Sequence, residues 1–551
     1  MRHFAIIAAA VCALTACDNP YEGGAAIDPN APRVHILSPE RGTFAGDVAT
    51  VEVKGTATDD TLVTSVEVNG VTASVQADGS FTATVPVVAG TNLLHAIAKD
   101  TQGNVGKESR AVVAGPTQIL DRTIPKAITA TMSAQTFDAI GRGASTFVED
   151  SDLTAMVTPM NPIVDMGTTN GQPDCLYGQA HATFVDVGNA DIKLIPQTGG
   201  LMLDATLDNV RVDMHLQWAV SCLDGSRNVT ATAQRIRVRG LLGAGTDATG
   251  NIRFALTNPN AELVGFNVEL GGVPQTIIDL LDLDTRLGPV IAFATEKFVA
   301  PKLDQALAGL SSTKTIDLFG KPVDITVFPK TIDFDVTGML IELDSELRAQ
   351  GDSGKFVYVS NTQPVMDMTH GFQLAIADDA ANQMLTSFWS AKGLELGIDL
   401  GGGSYGEVGT LYDRVELSAM VPPFIDASGD GLRLTIGDLM ATFKHDEAIA
   451  TRVAVNAELT LKVTADPTTG ALRLDVGTPT VYVDILDDAD GANTLSTADF
   501  EAISSFALSR VVAVGSGAVG AIPLPTAGGV AVRNVAVSEQ TGYLVVDGEI
   551  Q

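Results

Sequence analysis

From residue 181 onward, apolar and polar positions alternate with period two along much of the chain. Val210, Val212, Met214, Leu216, Trp218 and Val220 share one face of a predicted strand. Just before it, Leu201, Leu203, Ala205 and Leu207 alternate in the opposite phase. The slip at Asp208–Asn209 predicts a bulge or a bend in one long, curved strand. Helical periodicity is rarer. Phe137, Ile140, Ala144 and Phe147 predict a helix near 132–148, weakened locally by Gly141 and Gly143. Pro289 opens a second near 289–310, which Pro301 is expected to kink. A third covers about 378–391, with Asp378 or Asp379 as the expected cap and Gly393 past its end. Its apolar residues include Ala381, Met384, Leu385, Phe388 and Trp389. A fourth covers about 497–514, where Ser496 and Asp499 resemble a capping box with Asp in place of Glu.

These elements repeat in order. IPKAITATMSAQTFDAIGRGASTFV and GFQLAIADDAANQMLTSFWSAKG each place a strand before an amphipathic helix. Long alternating strands, a second long helix and a return through extended chain follow in both cases. The order predicts an internal duplication at a spacing of about 230–250 residues.

Residues 33–115 follow a different plan. Val51 and Val53 alternate with Glu52 and Lys54, and Val66 and Val68 with Ser65 and Glu67. Turn signals stand at Asn69-Gly70, Asp78-Gly79 and Gly103-Asn104. Short strands at this spacing predict a β-sandwich. VEVNG, ADGSFTATVPVVAGTN and AIAKDTQGNVG resemble the Ig-like modules of bacterial surface proteins. That resemblance implies a fold, and a spacer is the expected role rather than an adhesive module.

The first residues read as an address. Arg2 precedes an apolar run over 5–16, too short for a membrane span and suited to a signal-peptide core. Leu14-Thr15-Ala16-Cys17 resembles the bacterial lipobox, which implies cleavage before Cys17 and lipidation of that residue. In an ordinary signal peptide Cys17 would be incidental. Residues 18–32 are polar and rich in Gly and Pro, as a tether is. Cys175 and Cys222 then remain as an even pair in an oxidising compartment. A disulfide is expected, against the alternative of two free buried thiols.

Composition removes several functions. At 45% apolar and 18% charged residues, the chain can bury a large core. Lys and Arg number 34 against 66 Asp and Glu, a net charge of -32. That argues against nucleic acid and against docking on anionic lipid through a basic patch. No metal site or cofactor is expected. Gly402-Gly403-Ser404-Tyr405-Gly406 matches G-x-S-x-G, but a poor helix follows and only His445 lies downstream, so no enzyme is expected. Asp426, Ser428, Asp430 and Gly431 resemble half of an EF-hand loop, yet Gly437 stands where its last Glu belongs. Asp487, Asp488 and Asp490 read as a solvated turn.

A family resemblance joins these readings. FQLAIADDAANQMLTSFWSAKGLELGIDL resembles the opening of the second domain in the bactericidal/permeability-increasing and lipopolysaccharide-binding protein family. VGNADIKL with LMLDATLDNVRVDMHLQW resembles its first-domain strands, and IPLPTAGGVAVRNVAVSEQTGYLVVDGEIQ its closing segment. NTQPVMDM fits the connector. The resemblance implies the TULIP architecture: an α+β, β-dominated boomerang of two barrels, each a curved antiparallel sheet wrapped on a long helix, joined by a central sheet. It implies apolar tunnels for acyl chains. The family's basic first-domain tip is missing, and Cys175 sits differently from the family's usual disulfide.

The expected division is 1–16 signal peptide, 17–32 tether, 33–115 sandwich, 116–325 first barrel, 326–365 central connector and 366–551 second barrel. The expected tunnel residues are Phe137, Ile140 and Phe147, then Met384, Leu385, Phe388 and Trp389. The expected function is binding or transfer of lipids or other hydrophobic molecules by a lipoprotein of the bacterial envelope, anchored at the outer membrane. The alternative is a surface structural or adhesion lipoprotein with filled barrels.

Overall fold

The computed structural model describes residues 30–550 apart from 168–175, 248–249, 284–298, 302, 305–306, 308–312, 401–407, 428–430, 466–471, 489–494, 506 and 509–531. Its architecture is β-dominated: an N-terminal sandwich, then two curled sheets, each with a helix, on either side of a shared central sheet.

In the sandwich, one sheet orders Arg33–Ser38, Thr50–Thr58, Ser80–Pro86 and Ser74–Val75. The other orders Thr43–Gly46, Val105–Ala114, Gly90–Asp100, Val63–Val68 and Val71–Thr72. Ile36, Val53, Val66, Phe81, Val85, Leu94 and Val112 fill the space between them. The Asn69-Gly70 turn takes φ of 49° and 77°, the left-handed pair that a two-residue hairpin requires. The sandwich is docked on the rest of the chain. Its strand Val105–Ala114 packs against the second curled sheet.

The remainder is built twice. Strand Ile124–Ser133 leads into helix α1 (Ala134–Asp150). In the first curled sheet, β1 (Tyr177–Asp186) and β2 (Asn189–Gln197) both pair with β3 (Gly200–Val220). β3 pairs with β4 (Leu223–Thr246), and β4 with β5 (Ile252–Val264) and with Asn267–Val268. Val164–Gly167 edges β1, and helix α2 (Gln275–Leu281) follows. Strand Phe372–Ala377 then leads into helix α3 (Asp378–Ser390). In the second curled sheet, β6 (Arg414–Ala419) and Phe424–Asp426 both pair with β7 (Leu432–His445). β7 pairs with β8 (Ala448–Ala465), and β8 with β9 (Leu472–Val476) and β10 (Thr480–Asp488). Leu396–Asp399 edges β6. The two sheets match strand for strand, from 164 and 396 at the first strand to 267 and 480 at the last. The duplication inferred from element order is therefore present in the pairing.

The central sheet orders Thr313–Leu318, Lys321–Phe334, Gly338–Ala349, Ile124–Ser133, Phe372–Ala377, Tyr543–Ile550 and Val532–Gln540. Ile124–Ser133 and Phe372–Ala377, one strand from each half, pair antiparallel inside it. The sheet thus draws on much more of the chain than the 326–365 connector.

The slip at Asp208–Asn209 is a bend, not an inserted residue. Asp208 pairs with Arg235 and Val210 with Ala233, so the register is unchanged across it. Asn209 takes φ 55°. The buried positions change phase on both strands together, between Ala205 and Val210 and between Ile236 and Ala233.

Two caps differ from expectation. The N-cap of α3 is Ala377, and Asp378 and Asp379 lie inside the first turn, where their charge meets the helix dipole. At its end, Lys392 takes the left-handed position at φ 62°, and Gly393 N–H donates to the Phe388 carbonyl at 2.8 Å. The helix expected near 289–310 lies largely outside the described residues; 299–301, 303–304 and 307 are helical. The capping box is present: Ser496 N–H donates to Asp499 Oδ2 at 2.7 Å, and Asp499 N–H donates to Ser496 Oγ at 3.3 Å.

Candidate functional site

The longest strands bury one face each. On β3, Leu201, Leu203, Ala205, Val210, Met214, Leu216 and Trp218 are buried, and Leu207 and Val212 are half-buried beside them. They belong to two successive apolar clusters. Leu201, Leu203, Ala205 and Val210 share a cluster with Phe137, Ile140, Ala144, Leu303 and Leu307. Met214, Leu216 and Trp218 share another with Ile277 and Leu281 of α2. Val212 touches both.

The opposite face of the same strands carries the charge. Arg235 pairs with Asp208 at 2.7 Å, Arg239 with Asp204 at 3.4 Å and Arg211 with Asp213 at 2.9 Å. Arg237 donates two hydrogen bonds to Asp204, and its guanidinium holds that carboxyl below its usual range. Period-two alternation thus separates an ionic outer ladder from an aliphatic inner face.

Helix α1 lies along β2, which among the described residues pairs with no strand but β3. Ile192 N–H donates to Ser145 Oγ at 2.8 Å, and Ala190 N–H donates to Glu149 Oε1 at 2.8 Å. Gly141 makes the approach possible, because a Cβ there would stand 2.5 Å from the Ile192 carbonyl oxygen. Phe137 and Ile140 are buried in the first cluster, whereas Phe147 is only half-buried.

The structure separates the four second-half candidates. Leu385 packs with Leu434, Ala457, Leu459 and Leu461 on the inner face of the second curled sheet, and with Leu508 of a later helix. Phe388 and Met384 instead pack against Val323 and Ala349 of the central sheet. Trp389 donates from Nε1 to the Ala419 carbonyl at 2.7 Å, and its ring lies 6.0 Å from Phe44 of the sandwich. A further apolar cluster gathers Leu400, Val415, Ala441, Val453, Val455 and Val483. Tyr412, Phe443 and Phe500 stack inside it, with ring centroids 4.9 and 5.4 Å apart.

The face that α3 buries most deeply is polar, which the hydrophobic stripe did not reveal. Asn382, Gln383, Thr386 and Ser387 are buried. Asn382 exchanges two hydrogen bonds of 2.8 Å with the backbone of Ile425. Gln383 accepts from Leu347 N–H at 2.9 Å and donates to the carbonyls of Leu120 and Arg122. Ser387 Oγ accepts from Ala349 N–H at 2.6 Å. These groups cap strand edges that no neighbouring strand covers. The signal in sequence was polar residues at helical spacing, which normally reads as a solvated face. At the N-terminus of α3, burial pushes Asp379 up to about 7 and Asp378 up to about 6; the Asp378 charge adds to the first rise and that of Asp426 to the second.

The remaining motifs come to little. Gly402–Gly406 lies outside the described residues, as do residues 1–29 with Cys17, and Cys175. Asp426 is paired with Arg433 at 2.7 Å, and Ser428 and Asp430 lie outside the described residues. Asp490 also lies outside them. Among the described residues no group of three or more His, Cys, Asp or Glu is placed to hold a metal, and no helix is long and apolar enough to cross a membrane. A cavity of about 320 Å³ lined by Asp324, Glu346, Arg348 and Asp352 is polar, and Arg348 is spoken for by Asp352 at 2.6 Å.

Residues 32–115 match the family described as glucodextranase, domain B. Lipopolysaccharide binding protein resembles the chain at 15% identity and a TM-score of 0.38, over 77% of this chain and 99% of that one. P47 of Clostridium botulinum E1 resembles it at 9% identity and a TM-score of 0.23, over 78% and 100%. Latherin resembles 33% of this chain over 85% of its own, at 17% identity and a TM-score of 0.18. No curated protein sequence matches the chain. These likenesses are distant, and the functional reading rests on the geometry of the chain itself.

Proposed function

We propose that this protein holds lipids or other hydrophobic molecules against the inner faces of its curled sheets, without catalysis. One observation carries the reading: along β3 every inward residue from Leu201 to Trp218 is apolar, while the charges of the same strand face outward. An acyl chain gains about 0.8 kcal/mol per buried methylene, so such a surface suffices without any charged contact. The packing of Phe137, Ile140 and Leu385 on these faces supports a role for them, and Phe147 follows on the same helix as Phe137 and Ile140. Met384, Phe388 and Trp389 would act at the margins.

The lipobox-like Leu14–Cys17 supports a lipid anchor on Cys17 and a place in the bacterial envelope at the outer membrane. The Tyr177–Ala219 pairing, close in sequence to both cysteines, supports a Cys175–Cys222 disulfide. The filled-barrel alternative draws its support from the Tyr412–Phe443–Phe500 stack in the second half. Native mass spectrometry with lipid extraction on residues 18–551 tests the reading. Stoichiometric lipid, lost in Leu203→Trp and Leu216→Trp variants that remain folded, is the expected result. An empty protein that also refuses fluorescent acyl probes would favour the filled-barrel alternative.

A further inference from the structure

The two curled sheets bend at the same place in different ways. In each, one long strand changes partner halfway along: β3 passes from β2 to β1, and β7 from Phe424–Asp426 to β6. In β3 the register is kept, and Asn209 at the bend is exposed. In β7 the register shifts: Ile436 pairs with Ala457 but Leu439 with Val455, leaving Gly437 and Asp438 opposite Asn456 alone. Asp438 takes φ 42° there. A bulge of this kind bends the strand and frees polar groups from the ladder.

The polar groups of Asp438 and Asn456 at this bulge meet protein. Asp438 N–H donates to Asn456 Oδ1 at 2.8 Å, and Ala111 N–H of the sandwich donates to Asp438 Oδ2 at 3.2 Å. Arg41, also from the sandwich, pairs with the fully buried Asp438 carboxylate. The other arm of its guanidinium reaches Asp484 on β10 at 3.1 Å. Asp484 also accepts from Ser109 N–H at 3.1 Å, and Asn456 on β8 donates to the Ser109 carbonyl at 3.3 Å. Strands β7, β8 and β10 are therefore all tied to residues 109–111 of the sandwich. Gly437 completes the fit, since a Cβ there would stand 2.3 Å from the Ala111 Cβ. Leu93, Ala111, Val113 and Val421 pack beside the ionic cluster. On the inner side, Ile436 and Leu439 flank the bulge and pack into the two second-half clusters.

We propose that the N-terminal sandwich is a brace: it fixes the curvature of the second curled sheet at the Gly437–Asp438 bulge, so that its apolar inner face keeps one width for a ligand while the inner face of the first, with an unbraced bend, can widen. The ligand consequence rests on the lipid reading; the brace itself does not. Removing one partner of a buried ion pair strands the other, so Arg41 is the place to cut.

Hydrogen exchange of the full chain, read by mass spectrometry without added ligand, tests this directly. Arg41→Met is expected to speed amide exchange about tenfold or more in β7 and β8 around 434–443 and 453–459, with β3 and β4 unchanged. Arg41→Lys, which keeps the charge but loses the fork, is expected to give a smaller increase in the same segments and serves where Arg41→Met does not fold. Faster exchange confined to the sandwich would overturn the proposal, because the module would then dock without bracing. Equal acceleration in both curled sheets would overturn it too. A second sheet that loosens in a protein that takes up no acyl probe would keep the brace and sink the lipid reading, so the two can fail separately.

Discussion

Helices α1 and α3 occupy equivalent places in the two halves, each following an inner strand of the central sheet and each covering a free strand edge. Their buried faces are unlike. α1 buries Phe137, Ala139, Ile140, Ala144 and Val148, and reaches the edge of β2 with only Ser145 and Glu149. α3 buries Asn382, Gln383, Thr386 and Ser387, and caps two edges at once, Phe424–Asp426 on one side and the end of Gly338–Ala349 on the other. The same task is thus done once by close apolar packing and once by a polar stripe. A buried polar side chain is tolerable when every group it carries is matched, and α3 meets that condition through backbone groups that would otherwise be orphaned.

Four changes put weight on this contrast. The largest effect is expected at Gln383→Leu, which leaves the Leu347 N–H and the Leu120 and Arg122 carbonyls without their partner. The expected loss is about 3–5 kcal/mol by denaturant unfolding. A loss under about 1 kcal/mol would mean that the polar stripe is decoration. Gly141→Ala tests the other strategy, since α1 must then move away from Ile192. About 2–3 kcal/mol is expected, with the change in near-ultraviolet signal confined to the first half. Asp379→Asn separates burial from charge. The native carboxyl titrates at about 7 against an ordinary 3.8. The folded form therefore holds its proton longer than the unfolded chain, and stability falls as pH rises between those values. The Asn variant should match the parent below pH 3.8 and exceed it by on the order of 1–2 kcal/mol at pH 8. A constant difference across pH would show that charge is not what matters there. Ser145→Ala is expected to be the mildest, about 1 kcal/mol, because it removes one bond to one edge. If it equalled Gln383→Leu, the two helices would not differ in kind.

The contrast also explains what was legible in the residues. The alternation of Leu201 to Val220 locates β3 and its change of phase, because a two-residue period has one inner face. Ser496 and Asp499 announce a helix start because the capping bonds are local. The stripe of α3 misleads, since polar residues at helical spacing report the same pattern whether water or a strand edge satisfies them. Met384, Phe388 and Trp389 share that helix with Leu385, yet the packing sends them to different neighbours. The docking of the sandwich leaves no local trace, as Arg41 meets Asp438 and Asp484 across most of the chain.

The central sheet carries one more consequence. Its two innermost strands, Ile124–Ser133 and Phe372–Ala377, come from different halves and cover each other's backbone. Either half made alone would show an unprotected strand bearing the pairing pattern of its missing twin. The natural fate of such a fragment is to find a second copy of itself, so the duplicated chain resembles a symmetric dimer whose subunits have been joined end to end.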